Sequence, residues 1–321
     1  MSKFEQDQIC SEPRMRGLSK ETLALIDYSR KLLAENHPMT LRQLHYAIFS
    51  RLEIEYANDK ASYARLGRVT TTARRAYREW QLSGGVFPKH GIDPSLMVDE
   101  TRQPDSVSVW RDARQYVDVI GYSYRRDNWQ TQPCHVEIWS EKATVLGSVR
   151  PIARKWGLTT RVCHGYGSCG QEMEVGDLFA SIGQRKTIVV LYLGDHDPSG
   201  VQMQDDIHRR AAQASGIRFD MRRLAIHGTD IAKFNLPPQR IKEKDSRAAG
   251  FRRQFGMDAQ TVELDALPVE ELRSRIETEV VDFLDHALWD RQIATQQIEL
   301  DCISEFAERM KNLPQLQGGT A

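Results

Sequence analysis

The stretch Thr187-Ile188-Val189-Val190-Leu191-Tyr192-Leu193 constrains this chain's fold more than any other. It is a continuous run of β-branched and apolar residues without polar alternation, the pattern of a strand covered on both faces. It is also the longest apolar run, far short of the roughly 20 residues of a membrane span. Other strand-like segments lie at residues 135–140, 160–163 and 220–226. Between them fall helical patterns at 142–156, with Pro151 as a bend or break, at 171–182 and at 201–214. This alternation predicts a mainly parallel sheet covered by helices. A mostly helical tail follows, over about 269–310.

The first half reads differently. Residues 21–34 carry a helical apolar pattern closed by Pro38, Thr40 is a plausible N-cap for a helix over 41–52, and a third helix spans about 60–80 before Gly84-Gly85. A short strand is expected at Leu96-Met97-Val98, and a further helix at about 108–120 leads into the second half. Three helices followed by a strand pair fit a winged helix-turn-helix, with one helix entering a DNA groove. The expected fold is therefore α/β with an α-rich N-terminal part. It comprises a winged-helix (CAP-like) domain over 1–133, a parallel-sheet domain over 134–290 and a helical tail over 291–321.

Charge has to be read by position. Lys+Arg and Asp+Glu are both 44, so the formal net charge is zero, which excludes a uniformly basic DNA coat. Residues 1–133 nevertheless hold 20 basic and 17 acidic residues, and the remainder holds 24 and 27. Lys60, Arg65, Arg68, Arg74, Arg75 and Arg78 fall in a window with no acid, and such focusing creates a local positive field. Residues 240–253 are a second basic candidate, diluted by Glu243 and Asp245. Cys10, Cys134, Cys163, Cys169 and Cys302 are odd in number and scattered, as expected of reduced thiols; Cys163-His164 with Cys169 is at most a partial metal motif. The segment MSKFEQDQIC has no apolar core, so no signal peptide is expected, and the expected location is cytoplasmic.

The chemistry concentrates where strands end. Gly194-Asp195-His196-Asp197-Pro198-Ser199-Gly200 follows the buried run, and Glu141-Lys142 follows the strand at 135–140. Ligands of open parallel sheets bind outside the carboxyl ends of the strands. Glu141, Asp195 and Asp197 can converge there, and three carboxylates favour Mg²⁺ over Zn²⁺. Glu137, inside its strand, fits that edge less well. Helix capping by Asp197 or Ser199, and first-turn placement of Glu141, are the ordinary alternatives.

Trp139-Ser140-Glu141-Lys142, the Gly165-Tyr166-Gly167 loop and the Gly194–Gly200 segment together resemble the Toprim domain. They are most similar to its form in type IIB topoisomerase A subunits and the related meiotic double-strand-break transesterase. Val262-Glu263-Leu264-Asp265-Ala266-Leu267 resembles a later family segment less specifically, and Thr40–Tyr46 resembles the family's active-site helix, with pattern Arg-x-x-aromatic-Tyr. The resemblance implies Mg²⁺ on Glu141, Asp195 and Asp197, a nucleophilic Tyr46 with Arg42 as its companion, and Glu141 as an optional general acid. His45 replaces the usual first aromatic residue, and Gln43 stands where an acid is common.

Helix geometry bears on this independently. Leu41, Leu44, Ile48 and Leu52 form one apolar stripe, whereas Tyr46 lies opposite it with Arg42 four residues before. Tyr46 is thus expected to point outward, as a nucleophile or as an exposed or interface tyrosine. Arg65, Arg68, Arg74, Arg75, Arg78 and Lys142 are expected on DNA phosphates.

The function implied is Mg²⁺-dependent cleavage and rejoining of double-stranded DNA by a homodimer that makes double-strand breaks, giving a nucleoid-associated location. No GxxxxGK[ST] is present, so the chain is expected to be a stand-alone "mini-A" form or to need a separate B-type ATPase subunit. Two other expectations stand beside it: a Toprim-type nuclease using water, with Tyr46 structural, and a non-catalytic DNA-binding protein.

Overall fold

The computed structural model describes residues 17–84, 87–98, 108–163, 169–241 and 245–313. Four strands form one wholly parallel sheet: β1 (Cys134–Ser140), β2 (Thr159–Val162), β3 (Thr187–Leu193) and β4 (Asp220–Ala225), in the order β2-β1-β3-β4. The connections are α5 (Ala143–Trp156), α6 (Cys169–Ile182) and α7 (Pro198–Ser215). Pro151 lies inside α5 and does not end it.

Both faces of the sheet are covered, as the run in β3 demands. Ile188, Val190 and Tyr192 pack with Trp139 against Val175 and Phe179 of α6 and Ile207 of α7. The alternate residues Val189, Leu191 and Leu193 join Val136 and Ile138 against α5 and α10 (Val269–Phe283). Period-two alternation therefore divides one apolar run between two cores.

The α-rich first half contains α1 (Lys20–Asn36), α2 (Leu41–Arg51), α3 (Lys60–Ser83) and α4 (Ala113–Ser123). Asp59 caps α3 by accepting from Ser62 N–H at 2.7 Å, and Gly84 closes it in the left-handed conformation (φ 66°). The strand expected at 96–98 reduces to one bridge, Met39 with Met97, after a single 3₁₀ turn at Pro94–Leu96. Remaining elements are α8 (Gly228–Lys233), α9 (Ala248–Phe255), a 3₁₀ turn at Leu264–Ala266 and α11 (His286–Lys311), which packs along α4. Among the described residues no helix is long and apolar enough to cross a membrane.

The two halves share side chains. Tyr46 of α2 belongs to the sheet's core, and Val269 of α10 belongs to the core formed by α1, α2 and α3. Arg273 ties them polarly, donating to the carbonyls of Ser148 (2.8 Å), His37 (3.0 Å) and Pro38 (3.1 Å).

Glu137 is fully buried in β1 and serves the fold. It accepts from Trp139 Nε1 at 2.7 Å, Arg161 Nε at 2.8 Å and His135 Nε2 at 3.1 Å. Burial pushes its carboxyl up, but these partners outweigh burial and hold it below the ordinary 4.5. Its contribution is thus full above the unfolded-state pKa and is lost as pH falls through the lower folded-state value. Glu137→Gln should cost about 3 kcal/mol at neutral pH, because Arg161 loses its buried partner. Denaturant melts at neutral and acid pH should show the wild-type advantage shrinking with acid.

Candidate functional site

The sheet order dictates where a ligand can sit. From β1 the chain crosses to β2 on one side, and from β3 it crosses to β4 on the other. The carboxyl ends of β1 and β3 therefore open a crevice at the point where the winding reverses. Ser140 and Leu193 are paired at the last rung, so Glu141 and Asp195 emerge side by side. Glu141 N–H donates to Leu193 O (2.9 Å), and Glu141 Oε2 accepts from Asp195 N–H (3.0 Å).

Gly200 makes this approach possible. A Cβ on it would lie 2.5 Å from Asp195 O and 3.0 Å from Glu141 Oε2. Gly200→Ala should cost about 1–3 kcal/mol through overpacking and separate Glu141 from Asp195. A thermal melt measures the cost.

Glu141 is held above the ordinary carboxyl range by burial and then by the charges of Asp195 and Asp197. Asp195 is raised by burial although Lys142 and the Leu264 N–H oppose it. Asp195 Oδ1 accepts from Leu264 N–H at 2.7 Å and from Lys142 Nζ at 2.9 Å. Asp197 caps α7, its Oδ1 accepting from Gly200 N–H at 2.7 Å.

A third segment, whose acids had no assigned role from sequence, completes the edge. His196 and Val262 form an antiparallel bridge that carries Glu263 and Asp265 to the site. The sequence signal was a second pair of acids one residue apart; the long-range bridge that delivers them is invisible locally. Lys142 Nζ lies 3.0 Å from Asp265 and 3.5 Å from Glu263 besides its bond to Asp195. Lys142, expected on DNA phosphate, has its ammonium on three carboxylates in the DNA-free protein. Burial pulls its pKa down, but Asp265, Asp195 and Glu263 outweigh burial and raise it.

The outward Tyr46 is also corrected. Tyr46 does lie opposite the apolar stripe of α2, but it is buried, only 6 % exposed, because α2 packs on the Leu264–Ala266 turn. Burial and then Glu263 push its phenol up to about 12, while Arg42 and Lys142 act in the opposite sense. Arg42 pairs with Glu263, and its guanidinium lies 5.9 Å from the Tyr63 ring centre. His45 binds the Tyr56 hydroxyl (2.6 Å) and Asn58 Oδ1 (3.0 Å) and packs its ring on Tyr46. Gln43 completes the capping box with Thr40 and accepts from Ser148 Oγ at 2.9 Å, fixing α2 to α5.

On α3, Arg65, Arg68, Arg75 and Arg78 are exposed and Arg74 is half-buried. In the second basic segment Arg247 pairs with Asp245 and bonds Ser199 Oγ at 3.0 Å. Cys10, the 164–168 loop and residues 242–244 lie outside the described residues. Cys163 is buried, and burial pushes its thiol up to about 12.

The donor chemistry at this edge fits a hard divalent cation. Burial and then Asp195 raise the pKa of Glu141, and burial and then Asp265 raise that of Asp195, a cost that a cation relieves, and Asp265 Oδ1 is buried without a hydrogen-bond partner. Among the described residues no three carboxylate, imidazole or thiol groups are gathered as a ready metal cage. Mg²⁺ commonly uses one or two carboxylates and completes its shell with water and substrate phosphate. Glu141 and Asp195 are the pair that would hold it, with Asp197 beside them. Comparison with protein-family models, curated proteins and solved structures finds no match for the chain.

Proposed function

We propose that this chain is a Mg²⁺-dependent DNA transesterase, acting as the type IIB topoisomerase A subunits that its motifs resemble. The observation that carries this reading is convergence at one edge. Tyr46 and Arg42 on α2 meet Lys142, Glu263 and Asp265 of the sheet side across a long sequence separation, and Lys142 in turn binds Asp195. A packing tyrosine needs no such surroundings, whereas attack on a phosphodiester needs cations and acids beside the nucleophile.

In this reading Arg42 orients the phosphate and stabilises charge on the phenolic oxygen. The Tyr46 phenol gives its proton to water as its oxygen bonds to phosphorus, the bond to the 3′ oxygen breaks, that oxygen takes up a proton, and a 5′-phosphotyrosyl link remains. Glu141, when it is not holding Mg²⁺, is the alternative donor of the proton that the leaving 3′ oxygen takes up. Mg²⁺, when bound, supplies neutralisation of charge on the transferring phosphoryl group. The exposed arginines of α3 give salt-dependent affinity for the DNA backbone. Two chains would make a double-strand break as a homodimer, in the resembled family with the tyrosine of one protomer at the metal site of the other; a separate B-type ATPase subunit is a compatible partner.

A second reading has its own support. A phenol held at about 12 is a reluctant nucleophile, and the same acidic edge could direct water instead, with Tyr46 structural. One assay separates the two. Supercoiled DNA is incubated with protein and Mg²⁺ and stopped with detergent. Protein covalently joined to 5′ ends is the expected result. Cleavage with free ends supports hydrolysis, and binding without cleavage supports a DNA-binding role alone.

A further inference from the structure

We infer that Glu263 is a stand-in for the substrate: its Oε2 occupies the place that a non-bridging phosphate oxygen takes when DNA binds. This rests on the transesterase reading and adds a subsite and a built-in competitor to it. One carboxylate oxygen, Oε2, is shared between the Arg42 guanidinium and Lys142 Nζ, the latter at 3.5 Å. The two cations come from opposite halves of the chain, one on α2 and one just after β1. A single anionic oxygen held between a guanidinium and an ammonium is how proteins hold phosphate oxygens.

Access distinguishes Glu263 from its neighbour. The Glu263 side chain is 25 % exposed and that of Arg42 is 45 % exposed, so the shared oxygen lies at an open edge. Asp265, at 2 %, is sealed and remains Lys142's internal partner. Glu263 Oε1 is bonded by Gln239 Nε2 at 3.4 Å, and Gln239 is itself exposed. A phosphate entering beside Tyr46 therefore exchanges one anion for another on Arg42 and Lys142. Neither cation is left unpaired in the free protein, and the pair is positioned in advance. The cost is competition from an acid tethered in place, which weakens DNA binding.

Glu263→Gln keeps the size and the contact with Gln239 but removes the competing charge. Binding of a short DNA duplex is measured by fluorescence anisotropy in EDTA, so that no metal contributes. The variant should bind roughly tenfold tighter than wild type. Its plot of log affinity against log salt should steepen by about one to two units, since two freed cations reach phosphate. Glu263→Asp withdraws the carboxylate while retaining its charge, and should shift both readouts the same way by less. It serves if the glutamine variant does not fold, as judged by circular dichroism. Folded variants that bind no tighter than a DNA-cleaving wild type overturn this inference alone. Wild type and variants that all leave DNA free overturn it together with the transesterase reading.

Discussion

If Tyr46 is the proposed nucleophile, Tyr46→Phe should abolish the covalent protein–DNA adduct, by at least about a thousandfold, while the chain stays folded. The ring of Tyr46 fills a place in the sheet's core, and phenylalanine fills the same place. The described contacts give the hydroxyl no hydrogen bond to lose, so stability should change by under about 1 kcal/mol. The combination is diagnostic: an unchanged melting curve with no protein on DNA ends assigns the hydroxyl to chemistry. Unchanged yields of free ends from the same variant would instead mean that water is the attacking group.

Lys142→Met should give the largest loss of stability, about 3–5 kcal/mol, with a fall in melting temperature of about 4–7 °C. Lys142 is the ammonium shared by Asp195, Asp265 and Glu263, and its removal leaves buried carboxylates facing one another. The sign with pH follows from its raised pKa. Its contribution is full below the unfolded-state value near 10.5 and fades only as pH rises through the higher folded-state value, so the loss is present at neutral pH. Mg²⁺ at millimolar concentration should raise the variant's melting temperature more than the wild type's, because a second cation then has an uncompensated site. Calorimetric scans with and without Mg²⁺ measure both effects.

Where interactions are local, the sequence was a sufficient guide. The apolar run at 187–193 has the bounds of β3, and the capping residue Thr40 starts α2 where its side chain closes a hydrogen bond. Asp197 shows why a local motif can be read two ways: an acid before Pro198 is placed to cap a helix, and it does. Tyr46 shows a different limit. The hydrophobic stripe of a helix identifies one packing partner, but α2 has two, and its polar-looking side is covered by the sheet unit. Glu263 and Asp265 were out of reach for a third reason. Their place beside Asp195 depends on a bridge between His196 and Val262, which no periodicity encodes. Pro151 reads as a helix breaker on propensity, yet buried Val149, Ile152 and Ala153 anchor the turn around it, so packing overrides the lost backbone bond.

The exchange of Tyr46 and Val269 between the two cores sets a limit on how the chain can be dissected. Cutting it after residue 133 would leave a socket in each piece, one emptied of an aromatic ring and the other of a valine, and would strand the Arg273 guanidinium without the carbonyls of His37 and Pro38. The helical unit is thus no detachable reading head carried on an independent catalytic module. Its seating and the integrity of the acidic crevice should therefore be lost together, and a lesion at Tyr46, Val269 or Arg273 should be felt in both.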